Sequence, residues 1–292
     1  YRLIKNYKGP KMKKINLLTK QTTILAAALF LSVGISACGK KNLGGKVLSS
    51  LSMTAGSKAA TVAMQKSWLD LLMPRALALV PASIVDSTGL VINLNTSWVV
   101  VRDIEFEASE VPGVGEVDGA EVKFKGPYFV DLLSIAPIVL DTQLIPASGF
   151  QRIKMKLEKS GGSLPPGAPA ALSTNSIYVT GTVGANNFIY QSDDGTEMHM
   201  GGPKSVTPVE NGQVLVEINF SNIFKQINMS TVANNETISS ASRHAGINLC
   251  NLIDPSAQDI YTCIRKALEK NANVGEDADH NDSLDGAEHS VK

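Results

Sequence analysis

The sequence predicts a mainly β protein, an antiparallel β-sandwich with a small C-terminal helical segment. Three observations carry that expectation. Between residues 90 and 220, apolar and polar side chains alternate with a period of two, the mark of strands with one face in a core and one in water. Clusters of Gly, Pro, Asn and Asp separate these runs at short intervals. No helical pattern alternates with them, so a parallel sheet built of βαβ units is not expected.

Taken in order, residues 1–11 precede the first methionine, Met12, and are set apart from the fold as upstream sequence. From Met12 the text is basic, then apolar, then small. Lys13, Lys14 and Lys20 lead into an uncharged apolar run over 24–33. That run is short of the about 20 residues a membrane span needs and suits a secretory core of about 7–15. It ends in Ile35-Ser36-Ala37-Cys38-Gly39, which resembles the bacterial lipobox. Small residues let an extended backbone enter a peptidase groove, and the thiol is the side chain that takes a diacylglycerol thioether. The resemblance implies a signal peptide ending at residue 37 and a lipoprotein anchored through Cys38. It also implies two acyl chains on the thioether and usually a third on the new amine, enough for stable anchoring where one chain is marginal. Gly39 in place of Asp, by resemblance to the enterobacterial sorting rule, implies the outer membrane of the cell envelope.

Residues 38–80 read as a tether and a short helix. The stretch 39–57 is rich in Gly, Ser and Lys. Over 59–72, Val62, Trp68, Leu69 and Leu72 fall near helical spacing, and Pro74 ends the run. The sandwich is expected over 81–220. Ile104, Phe106 and Ala108 alternate with Asp103, Glu105 and Glu107 within a strand over 98–108. Val122 and Phe124 repeat the pattern over 121–125, and 128–133 follows. Ile153, Met155 and Leu157 alternate with Lys154 and Lys156 over 150–158. Further strands are expected at 177–183, 188–191 and 213–220, with the turn signal Ser192-Asp193-Asp194-Gly195 after the second.

The order Trp98-Val99-Val100-Val101, then Phe124-Lys125-Gly126-Pro127-Tyr128 with Val130-Asp131-Leu132-Leu133, then Ile145-Pro146-Ala147 before the strand at 150–157, resembles the uncharacterised exported β-sandwich lipoproteins of bacteria. The likeness covers about residues 90–220. It implies an immunoglobulin-like or transthyretin-like sandwich and no particular activity.

Residues 221–292 read as a helical tail. A short helix is expected over 221–227. Asp254-Pro255 pairs an N-cap residue with Pro at the first helical position, and Ile260, Ile264 and Leu268 share one face of a helix running to about Lys270. Besides Cys38 the chain holds only Cys250 and Cys263. In an exported protein two cysteines favour one disulfide; two free thiols, or a metal site with His244, are the alternatives.

The segment Asp277-Ala278-Asp279-His280-Asn281-Asp282-Ser283-Leu284-Asp285-Gly286-Ala287-Glu288 resembles the EF-hand calcium loop. Calcium takes six to eight hard oxygens. The resemblance puts Asp277, Asp279 and Asn281 at loop positions 1, 3 and 5, the Ser283 carbonyl at 7, Asp285 at 9 directly or through water, and Glu288 as the bidentate ligand at 12. Position 6 departs from the pattern, with Asp282 where the loop has Gly for a sharp turn. Only residues 287–292 remain for an exit helix.

Charge narrows the function classes. Seven basic residues and no acidic one precede Cys38, which leaves 20 basic against 27 acidic residues from Cys38 onward, a net −7. A nucleic-acid partner would call for the opposite sign. No G-x-S-x-G, H-E-x-x-H or P-loop occurs. His199, between Met198 and Met200, has the residue types for copper, but a structural or exposed histidine among core methionines is the simpler reading. The sequence therefore points to an envelope lipoprotein with a non-catalytic binding, adhesion or structural role. Its partners are the membrane through its lipid and an envelope protein or glycan. The alternative is an exported hydrolase, carbohydrate-active or similar, with a site of dispersed carboxylates.

Overall fold

The computed structural model describes residues 45–55, 83–108, 121–134, 136–147, 149–250, 253–278, 280–284 and 290–291. Eighteen residues in one strand, β3 (Val91–Ala108), organise the larger of two sheets. Strand β4 (Val122–Asp131) pairs antiparallel with its second half, as do β6 (Phe150–Leu157) and, over its first half, β7 (Ile177–Val183). Because β4 overlaps the registers of both β6 and β7, it lies along the opposite edge of β3. The short β2 (Ser83–Val85) shares that edge. Beyond β7 come β8 (Asn186–Ser192) and β11 (Glu236–Ile238), and beyond β6 comes β9 (Thr196–Val206). The second sheet has the order β13-β12-β10-β1-β5, with β1 (Lys46–Ala55), β5 (Ile138–Pro146), β10 (Gly212–Ile218), β12 (Ala272–Glu276) and β13 (Ser290–Val291). The two sheets form a sandwich-like, mainly β body with a small C-terminal helix.

Side-chain alternation gives the sheets their faces. Ile104, Phe106, Phe124, Ile153, Met155 and Leu157 are all buried, while their neighbours Lys123, Lys154 and Glu105 form a charged outer lattice. On the inner side Phe106 meets Phe124 at 5.2 Å and Phe150 at 4.5 Å between ring centroids, the second edge-on. Edge-to-face rings add about 0.5–1.5 kcal/mol beyond their burial. At Gly181 in β7 a Cβ would lie 2.4 Å from the Asn93 carbonyl oxygen and 3.1 Å from the Phe188 ring, so the strand approaches β3 there only because no side chain intervenes.

Two helices pack on a face of the larger sheet, near Val99, Ile177 and Val179. Helix α1 (Phe220–Phe224) is capped by Asn219, whose side chain accepts from the Asn222 N–H. Helix α2 (Ile260–Asn271) is capped by Asp259, which accepts from the Thr262 N–H. Ile260, Cys263, Ile264, Ala267 and Leu268 are buried in the same cluster as the sheet residues.

Several expectations need correcting. The stretch read as tether contains β1, an inner strand parallel to β10 and antiparallel to β5. Its serines disguise it. Leu51 and Met53 are buried, and Ser49 is buried as well because its hydroxyl donates to the Gly212 carbonyl at 3.0 Å. Residues 56–82, with the expected helix over 59–72, lie outside the described residues. The body does not stop at residue 220, since β12 adds to β10 and α2 packs into the core. Two pairings, β1 with β10 and β11 with β8, are parallel. Helix α2 starts five residues after Pro255. Asp254 instead forms a turn, accepting from the Ser256 N–H at 2.8 Å and hydroxyl at 2.6 Å.

Candidate functional site

The C-terminal loop is built outward from the sheet. β12 delivers the chain to Asp277, whose N–H donates to the Gln213 carbonyl at 3.0 Å, continuing the pairing with β10. The Asp277 side chain is 0% exposed. One of its oxygens accepts the Asn281 N–H at 3.1 Å and the other the Asp282 N–H at 3.0 Å. Asn281 in turn accepts the Ser283 N–H at 2.8 Å. The Leu284 N–H donates to a Glu217 carboxylate oxygen at 3.0 Å, which fastens the loop to the sheet. Asp282 has φ 65°, so Asp itself takes up the left-handed turn for which the loop pattern has Gly.

Of the six expected calcium ligands, Asp277, Asn281 and Ser283 are described and sit on one ordered turn. Asp279, Asp285 and Glu288 lie outside the described residues. Among the described residues no three His, Cys, Asp or Glu side chains converge. The side chains that organise the described turn offer oxygen, the donor type calcium takes. The flanks differ from a helix-loop-helix unit: β12 enters, and where an exit helix was expected β13 returns, pairing Val274 with Val291 and Gly275 with Ser290. The loop therefore closes a hairpin. Cys38 also lies outside the described residues.

Cys250 and Cys263 are joined, with sulfurs 2.10 Å apart and Cα atoms 5.7 Å apart. The bridge ties the first turn of α2 to the loop before it, and both residues are buried. A metal shared with His244 is thereby overturned. The cysteines are spent on each other and both imidazole nitrogens are engaged, Nδ1 with Glu236 at 2.6 Å and Nε2 with the Thr231 hydroxyl at 2.9 Å.

That Thr231–His244–Glu236 chain has no spacing signal in the sequence: Glu236 opens β11, and Thr231 and His244 lie in the loops on either side of it. The other Glu236 oxygen accepts the Ala233 N–H at 2.7 Å, and His244 sits at φ 51°. A hydroxyl, an imidazole and an orienting carboxylate in series can pass a proton. Thr231 stands at the exposed surface.

The turn at 193–195 serves to hold α2. Asp194 accepts from the Tyr261 hydroxyl at 2.7 Å and from Arg265 at 3.1 Å, and Ser192 lies 2.9 Å from the same tyrosine oxygen. Burial raises the Tyr261 pKa, and Arg243 lies over its ring at 5.1 Å. His199 points outward, with its ring 68% exposed and paired to Glu197 at 2.9 Å, while Met198 and Met200 are buried in the core. Histidine and methionines face opposite sides of β9, so they form no copper site. No protein family, curated protein or solved structure matches this chain.

Proposed function

We propose that this chain is an exported lipoprotein of the cell envelope, held to a membrane, the outer one by its Gly39 signal, through lipid on Cys38. Its β-sandwich body works by non-catalytic binding, adhesion or support toward an envelope protein or glycan, and calcium closes its C-terminal loop. The observation that supports this most is the buried Cys250–Cys263 disulfide. Disulfides persist in oxidising compartments, and a bridge built into the packing of α2 fits a chain that matures after export. The segment from Lys13 to Cys38 supplies the matching address.

Trapping thiols with an alkylating agent in intact producing cells tests this reading. Protein recovered from the envelope should carry no label on Cys250 or Cys263 until it is reduced. Two labelled thiols without reductant would contradict export to an oxidising compartment.

A second reading, an exported hydrolase, draws on the Thr231–His244–Glu236 chain rather than on dispersed carboxylates. It ranks second because Thr231 lies at an open surface, where water competes for any reacting group. Ester turnover that vanishes in His244→Ala would raise it to first.

A further inference from the structure

Exposed apolar side chains are ordinary when scattered and informative when they adjoin. Leu48 on β1, Leu144 on β5 and Val209 in the loop before β10 are 38%, 42% and 51% exposed. Leu48 and Leu144 are direct cross-strand partners. Their side chains share the outer face, because Ile145, next in β5, turns into the core. The Leu48 N–H donates to a Glu210 carboxylate oxygen at 3.2 Å, and its carbonyl accepts the Asn211 N–H at 2.7 Å. Both backbone groups thus turn away from β5. The pair with Leu144 is therefore a non-hydrogen-bonded one, which brings the two side chains to their closest spacing. The same two bonds hold the loop that carries Val209 beside Leu48, and the Val209 carbonyl closes its turn by accepting the Gly212 N–H at 3.0 Å.

This apolar rim stands where the chain enters the body. Leu48 is ten residues after Cys38, at most about 35 Å of extended backbone. The residues between them carry Lys40, Lys41 and Lys46 and no carboxylate. The acids near the rim, Glu210 and Glu276, stand on its β10–β12 side, while Leu144 lies at the β5 edge of the sheet. Basic side chains beside an acyl anchor are drawn to anionic headgroups. Exposed apolar side chains brought to the same depth enter the boundary between headgroups and acyl chains.

We propose that Leu48, Leu144 and Val209 seat the body on the lipid surface that holds the Cys38 acyl chains. The inference rests on the lipid-anchor reading and adds an orientation to it. The start of β1 and the end of β5 face the bilayer, with Lys46 at headgroup level. The charged outer face of the larger sheet, where His199 pairs with Glu197, stays in water. The anchor supplies the residence and the rim fixes which end of the sandwich is turned to lipid.

The test uses lipid-bearing protein recovered from the membranes of cells that produce the full chain, with the acyl groups on Cys38 verified by mass. An environment-sensitive fluorophore is attached at a thiol introduced by Leu144→Cys or, as the reference, by His199→Cys, while Cys250 and Cys263 stay bridged. Both proteins are placed on vesicles of phosphatidylethanolamine and phosphatidylglycerol, with and without brominated acyl chains. The label at 144 should shift to the blue on vesicles and lose intensity to the brominated chains. The label at 199 should do neither. Lipid-bearing protein whose two labels respond alike would overturn the rim and leave the anchor standing. Protein that carries no lipid and stays off the vesicles would overturn the anchor and the rim with it.

Discussion

At the scale of single residues, charge partners decide how the protein meets acid. The Lys266 ammonium beside Asp254, with the Ser256 hydroxyl and N–H, holds the Asp254 carboxyl well below the usual carboxylate range. The unfolded chain lacks these partners and binds the proton at a higher pH. The stability this group contributes is therefore complete above the unfolded carboxylate pKa of about 3.9 and is lost as pH falls through the lower folded value. Asp254→Asn should flatten the acid limb of stability between about pH 5 and pH 2, read from urea unfolding at each pH. An unchanged slope would show that the pairing with Lys266 does not persist in solution. This residue also marks a limit of sequence reading. Asp254-Pro255 carries a strong helix-start signal, yet Asp259 caps α2, because Asp254 satisfies Ser256 and Lys266 instead. Both aspartates have the right chemistry, and tertiary partners chose between them.

At the scale of elements, regular alternation was legible and disguised alternation was not. β3, β6 and β10 follow the spacing of Ile104/Phe106, Ile153/Met155 and Val214/Val216, and the strands lie where those residues put them. β1 was hidden because serines occupy covered positions: the Ser49 hydroxyl donates to the Gly212 carbonyl, and Ser52 is buried with no hydrogen-bond partner among the described residues. The disulfide followed from counting cysteines in a chain read as exported. The Thr231–His244–Glu236 chain had no signal of spacing at all. The C-terminal loop proposed to bind calcium stands between these cases, since the spacing of its oxygen-bearing residues is plain in the sequence but its strand flanks are not. With Asp277 paired to β10 and Leu284 bonded to Glu217, the loop is expected to unfold with the body. Calcium at 100 times its Kd should then raise stability by about 2.7 kcal/mol. A single loop of this kind sets that Kd at about 10⁻⁴–10⁻³ M. Titration calorimetry at millimolar calcium should show binding that is weakened in Glu288→Gln and poorly reproduced by magnesium. No heat and no gain in melting temperature for the unaltered chain would remove calcium from the account.

At the scale of the whole molecule, the sandwich draws on more of the chain than the alternating segments alone. Its second sheet takes β1 from before the central segments and β12 and β13 from after them. The described residues thus form one unit from Gly45 onward, so the body begins seven residues after Cys38. Seven residues span at most about 25 Å when extended. A lipid on Cys38 would accordingly keep the body close to the membrane surface, within reach of envelope partners. The central claim of a lipid-anchored envelope protein is therefore tested most directly at that one thiol. Cells fed a labelled fatty acid should be made to produce the full chain and its Cys38→Ala variant, and the protein recovered from each. The full chain is predicted to carry the label and to lack its signal segment, while the variant carries no label and retains that segment. Equal labelling of the two proteins would contradict it.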